Sequence, residues 1–269
     1  MSRNIFLLYF CLWAGWVHGQ SKIDSNIPYY SKTITGADAY IAERCVLDIY
    51  APEGAKALPV LIWFHGGGLV GGNKHIPDEL KTNKYIVVAA NYRFSPNVRH
   101  PAYIEDAARA TAWVFENIGK WGGDTTKIIL TGHSAGGYLA SMVGLDKHYL
   151  LKYGIDANRL AGLAPLSGHA ITHMTVRKER GIKETQPIID EYAPAFHARA
   201  DAPPMLLITG DREMEMLGRY EENAYMSRVM KLNGHMQTTL YEMDGYGHDM
   251  LVPAYIPLKH FVDRFTQTK

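Results

Sequence analysis

From about residue 45 onward, short apolar runs alternate with stretches whose apolar positions recur at helical spacing. "CVLDIYA" alternates apolar and polar residues as a half-exposed strand does. "PVLIWFHGGG" is a near-continuous apolar run ending in glycines, which predicts a buried central strand feeding a loop, and "KYIVVAANYR" predicts a second. "YIEDAARATAWVFENIGKWGG" places residues 104, 107, 108, 111, 114, 115 and 118, all apolar but Thr111, at helical spacing before a glycine stop, the pattern of an amphipathic helix. "KIILTGHSAGG" then reads as a strand with a sharp turn and "YLASMVGL" as a helix. "RLAGLAPLSG", "PPMLLITG" and "QTTLYEMDG" supply three more strands, with helices after the second and third. Strand and helix repeated in this way predict an α/β architecture, a mostly parallel central sheet flanked by helices on both faces. Ligands of such sheets sit at the carboxyl ends of the strands. The stretch from Ala170 to Asp201 is polar and broken by Gly181, Pro187 and Pro194. It is expected to be a small lid-like insertion beside those ends.

Composition narrows the partners. The 269 residues carry 28 Lys+Arg against 27 Asp+Glu, evenly mixed. That balance gives no electrostatic footprint for nucleic acid. Residues 1–19 combine basic Arg3, an apolar run from Ile5 to Val17 and small Gly19, and they are expected to act as a signal peptide. The run is shorter than the roughly 20 residues of a spanning helix, so no stable membrane anchor is expected. The expected site of action is outside the cytoplasm, periplasmic or extracellular. Cleavage near Gly19 leaves Cys45 as the one remaining cysteine, a small buried hydrophobe with no disulfide partner.

Two motifs carry chemistry. "GHSAG", Gly132 to Gly136, is a G-x-S-x-G element between a strand and a helix, the context in which a tight turn presents Ser134 as a nucleophile. "HGGG", His65 to Gly68, follows an earlier strand, and its unobstructed backbone N–H groups suit a developing oxyanion. No H-x-x-x-H helix and no cysteine pair suggests a metal, and neither metal nor cofactor is expected.

With these motifs the chain resembles the esterases of the α/β-hydrolase fold, in the branch with an HGGG loop that includes hormone-sensitive-lipase-like and feruloyl or acetyl-xylan esterase-like enzymes. "LDIYAP", "HGGGLVGGNK", "WGGDTTKIILTGHSAGGYLA", "HARADAPPMLLITGD" and "GYGHDML" occur in that family's order. The resemblance implies one hydrolase domain over 20–269, with the insertion around 170–201. It implies an oxyanion hole from the N–H groups of Gly67, Gly68 and Ala135, and His248 as the base that takes the Ser134 proton. The acid should follow the strand "PPMLLITG". Asp211 fits by residue type, but a G-x-x-D count from Gly210 lands on Glu213, which is the expected acid, with Asp211 shaping the turn as an Asx residue. Asp244 and Asp249 are the remaining acids close to His248 in sequence. Five methionines, Met214, Met216, Met226, Met230 and Met243, are either core or an adaptable acyl pocket.

The function implied is a secreted serine carboxylesterase acting on small or polysaccharide-borne esters, acetyl or feruloyl. A small-amide hydrolase or peptidase on the same machinery, and a non-catalytic binding protein on a hydrolase scaffold, are the alternatives. The sequence does not fix the oligomeric state.

Overall fold

The computed structural model describes residues 22–266, so the expected leader lies outside the described residues. Eight strands, β1 (Lys22–Pro28), β2 (Val46–Ala51), β3 (Leu58–Phe64), β4 (Ile86–Ala90), β5 (Gly123–His133), β6 (Gly162–Leu166), β7 (Met205–Gly210) and β8 (Thr238–Met243), form one sheet in the order β1-β2-β4-β3-β5-β6-β7-β8. The pairs β1/β2 and β2/β4 are antiparallel and all others parallel. The helices are α1 (Lys32–Ala37), α2 (Ala39–Arg44), α3 (Ala102–Asn117), α4 (Ala135–Leu145), α5 (Lys147–Leu151), α6 (Met174–Glu179), α7 (Arg219–Leu232) and α8 (Leu251–Thr266).

The apolar runs lack alternation because both faces of each strand are covered. In β3, Val60, Ile62 and Phe64 point into a core shared with α3 and α4, while Leu61 and Trp63 point into one shared with α8. In β7 the same split separates Met205 and Leu207 from Leu206 and Ile208. The helix α4 behind Ser134 is buried along its whole length. Its place between the sheet and α3 requires that, and it anchors the turn at Ser134 to a fully buried helix.

One strand departs from expectation. β2 is not half-exposed; every residue but Asp48 is buried. The polar segment "KIDSNIP" pairs against it as β1, covering an edge that periodicity alone leaves open. Residues 170–201 contain α6 and a 3₁₀ turn at Pro194–His197. They are fastened to the fold where Tyr138 Oη donates to the Tyr192 carbonyl (2.8 Å) and Thr175 Oγ1 to the Gly68 carbonyl (2.5 Å).

Candidate active site

Five parallel strands deliver the side chains and backbone of one site from their carboxyl ends, as the topology demands. Gly67 and Gly68 follow β3, Ser134 follows β5, Ser167 follows β6, Glu215 follows β7 and His248 follows β8. Gly67, Gly68, Ser134 and His248 line a single cavity of about 300 Å³.

Ser134 stands at φ 56°, ψ −116°, a conformation that costs a non-glycine residue on the order of 1–3 kcal/mol. Its N–H donates to the Leu166 carbonyl at 2.8 Å, and the glycine at 136 is a necessity, since a Cβ there would overlap the Phe64 carbonyl. Gly67 is likewise fixed by φ +119° and by the closeness of the Gly71 carbonyl. The N–H groups of Gly67, Gly68 and Ala135 have no acceptor among the described residues. Among those residues Ser134 Oγ has no hydrogen bond to His248, although both side chains border the cavity.

The histidines of the two motifs are structural. His65 donates from Nδ1 to the Gly66 carbonyl (2.6 Å) and stacks on Tyr92. His133 donates from Nε2 to the His248 carbonyl (2.9 Å), tying the Ser134 turn to the His248 loop. Burial holds each of these imidazoles down to about 4, so both stay neutral at pH 7.

The carboxylate facing His248 is Glu215, which corrects the expectation of Glu213 or Asp211. His248 Nδ1–H donates to Glu215 Oε1 at 2.6 Å. Asp211 instead accepts from the N–H groups of Glu213 and Gly245, both at 2.9 Å, as the Asx reading expects. It also starts one turn of helix-like backbone, with the Met214 and Glu215 N–H groups donating to its carbonyl. That turn winds Glu213 outward to solvent and brings Glu215, four residues past Asp211, back under the sheet end. A fixed-offset count cannot see such winding. No local sequence signal separates Glu215 from Glu213. Asp244 and Asp249 make no hydrogen bond to His248 among the described residues.

All the acceptor positions of Glu215 are used. Oε1 takes His248 and the Met216 N–H (2.9 Å); Oε2 takes Ser167 Oγ–H (2.5 Å) and the Gly210 N–H (3.1 Å). Ser167 Oγ also lies 3.1 Å from His248 Nδ1, so the hydroxyl bridges carboxylate and imidazole. Burial alone would push the Glu215 carboxyl above its ordinary 4.5, but the bonds from His248, Ser167 and the Met216 N–H outweigh it and hold the group at about 2. A depressed folded value contributes stability that is complete above the unfolded value and is lost as pH falls through the folded one. The stability difference between wild type and Glu215→Gln should therefore shrink between about pH 4.5 and pH 2, read from urea midpoints at pH 5 and pH 3. A difference unchanged over that window would refute an ionised, hydrogen-bonded Glu215.

The insertion contributes His173 and Met174 to the cavity, the loop after β7 contributes Met216, and the first residue of α7 contributes Arg219. Of the five methionines, Met216 alone lines it; Met226 and Met230 are core, Met214 is exposed, and Met243 packs against the second core. No group of three or more metal-ligating side chains occurs among the described residues.

The BD-FAE family model matches residues 47–161. The probable carboxylic ester hydrolase LipM of Mycobacterium tuberculosis is 34% identical over 176 residues, covering 56% of this chain and 40% of LipM. Esterase LipC of the same organism is 27% identical over 216 residues, covering 72% of this chain and 53% of LipC. The chain thus spans about half the length or less of these two curated relatives. Among solved structures, a truncated carbohydrate esterase from gut microbiota superposes with TM-score 0.74 at 19% identity, covering 92% of this chain and 97% of that one. Esterase B from Lactobacillus rhamnosis gives TM-score 0.69 at 18% identity, with 91% and 87% covered. The protein has the α/β-hydrolase fold, and its sequence is similar to the carboxylic ester hydrolases built on that fold.

Proposed function

We propose that this protein is a serine carboxylic-ester hydrolase. The observation that carries the reading is the convergence, at one cavity, of a strained Ser134, a His248 whose Nδ1–H is held by a buried carboxylate, and Gly67 and Gly68, whose N–H groups, like that of Ala135 next to Ser134, lack an acceptor among the described residues. With its proton on Nδ1, His248 keeps the Nε2 lone pair for the Ser134 hydroxyl. Oγ adds to the ester carbonyl while Nε2 takes the hydroxyl proton, and the negative oxygen is received by the three N–H groups. Collapse breaks the C–O bond as the imidazolium returns that proton to the departing alcohol. Water then attacks the acyl-serine with the same base, releasing the acid and regenerating Ser134. Glu215 and Ser167 fix the tautomer and plane of the ring throughout.

A cavity of about 300 Å³ is at the small end for ligand sites, which favours short acyl groups over long-chain lipids. Acetyl or feruloyl esters on plant polysaccharide are the natural substrates we favour, supported by the expected leader and by similarity to a carbohydrate esterase. Export to the periplasm or medium is part of the same proposal. Purified protein should be labelled by a fluorophosphonate probe and should hydrolyse 4-nitrophenyl acetate. Absence of both would remove the esterase reading and leave a binding protein on a hydrolase scaffold.

A further inference from the structure

Arg219, the first residue of α7, is 2% exposed. One of its terminal nitrogens donates to the Ser167 carbonyl, and the other donates to His169 Nε2 at 2.9 Å. Its Nε–H is buried with no partner, and among the described residues no carboxylate forms an ion pair with it. The two nearby acids are engaged elsewhere. Glu215 is filled by His248, Ser167 and two backbone N–H groups. Glu222 accepts from His169 Nδ1 (2.8 Å) and from the Ala170 N–H (3.1 Å). A guanidinium taken out of water with no carboxylate in direct contact and without a full set of acceptors is unfavourable, and such a group calls for an explanation.

Its location supplies one. Arg219 lines the same cavity as Ser134, Gly67 and Gly68, and among the described residues it is the only lining side chain with a fixed charge. The other titratable lining groups are imidazoles, and among the described residues no Asp or Glu borders the space. His133 and His173 are kept neutral by burial, so they neither add to the cation nor offset it. A substrate carboxylate or other anionic oxygen entering this cavity meets one cation with donors to spare and no competing acid.

Resting on the esterase reading above, we propose that Arg219 is a specificity residue that selects esters carrying a carboxylate a few bonds from the scissile carbonyl, such as hemiesters of dicarboxylic acids or acyl esters of acidic alcohols and sugars. The guanidinium receives the carboxylate while the ester carbonyl lies between Ser134 and the glycine N–H groups. Esters of matched shape and no charge reach the same nucleophile without that contact.

The test compares 4-acetoxybenzoate with 4-acetoxybenzamide, and mono-4-nitrophenyl adipate with 4-nitrophenyl hexanoate. The first pair shares one acetyl-enzyme, so a difference in kcat/KM reports the acylation step alone. Wild type is expected to favour the anionic ester of at least one pair by about 30-fold, the worth of one charge-assisted hydrogen bond. Arg219→Gln should erase that preference, and the readout is the ratio of the two esters, since loss of the bond to the Ser167 carbonyl lowers both alike. Equal or lower kcat/KM for the anionic ester in both pairs overturns the proposal, and that wild-type comparison stands even if the variant does not fold. Equal losses on anionic and neutral esters in Arg219→Gln would assign Arg219 to structure alone. If no ester is turned over, the esterase reading has failed separately, and calorimetry decides the inference. Wild type must then bind 4-hydroxybenzoate at least 10-fold more tightly than 4-hydroxybenzamide, and a smaller ratio overturns it.

Discussion

Glu215→Gln is expected to lower kcat on 4-nitrophenyl acetate by about 10⁴-fold, with Glu213→Gln close to wild type. A glutamine at 215 presents an amide that can donate to His248 Nδ1. It thereby favours the tautomer with the proton on Nε2, the nitrogen that has to accept from Ser134. It also removes the negative charge that stabilises the imidazolium. Glu213 lies in solvent on the outer side of the turn, so neutralising it leaves the ring untouched. Asp211→Asn removes a carboxylate that holds the Glu213 and Gly245 N–H groups, and its effect should fall on loop order and stability before the chemical step. The readout is the pre-steady-state burst together with near-ultraviolet circular dichroism. Full activity in Glu215→Gln, or a comparable loss in Glu213→Gln, would reverse the assignment. A glutamate carries one more torsion than aspartate, and Ser167 restrains it: with Oε2 bonded to the Ser167 hydroxyl and the Gly210 N–H, the longer side chain has a fixed plane.

The difference between what was legible in the sequence and what was not follows from the range of the forces involved. Strands β3, β4, β5 and β7 were legible because burial on both faces writes itself as continuous apolar runs. The turn at Ser134 and the Gly67–Gly68 loop were legible because close backbone approach demands glycine at fixed spacing. β1 was not, since its pairing is backbone to backbone and its side chains are mostly exposed and polar. Glu215 was not, because one added turn after Asp211 shifts the position that points inward, and Asp211, Glu213 and Glu215 look alike in one dimension. Ser167 and Arg219 are separated by 52 residues and their contact exists only once β6 and α7 meet. The placing of Glu215 and its supports is therefore a property of tertiary packing, whereas the Ser134 turn and the Gly67–Gly68 loop are a property of local backbone chemistry.

That local chemistry separates activity from stability at Ser134 itself. Ser134→Ala and Ser134→Gly should each lower kcat by about 10⁶-fold, since neither retains an oxygen to attack the carbonyl. They should differ in stability. Alanine keeps a Cβ at φ 56°, ψ −116° and so keeps the backbone strain, of order 1–3 kcal/mol. Glycine adopts this region freely but gives up about 0.4–1 kcal/mol through the larger entropy of its unfolded chain. The balance favours glycine by about 1 kcal/mol, which for a domain of this size raises Tm by about 2–4 °C over the alanine variant. Differential scanning calorimetry of the two inactive proteins measures it directly. A glycine variant no more stable than the alanine variant would mean that the turn is not strained. A more stable one would mean that the fold gives up stability at Ser134 to hold the hydroxyl at the carboxyl end of β5, in reach of a carbonyl that the three N–H groups also face.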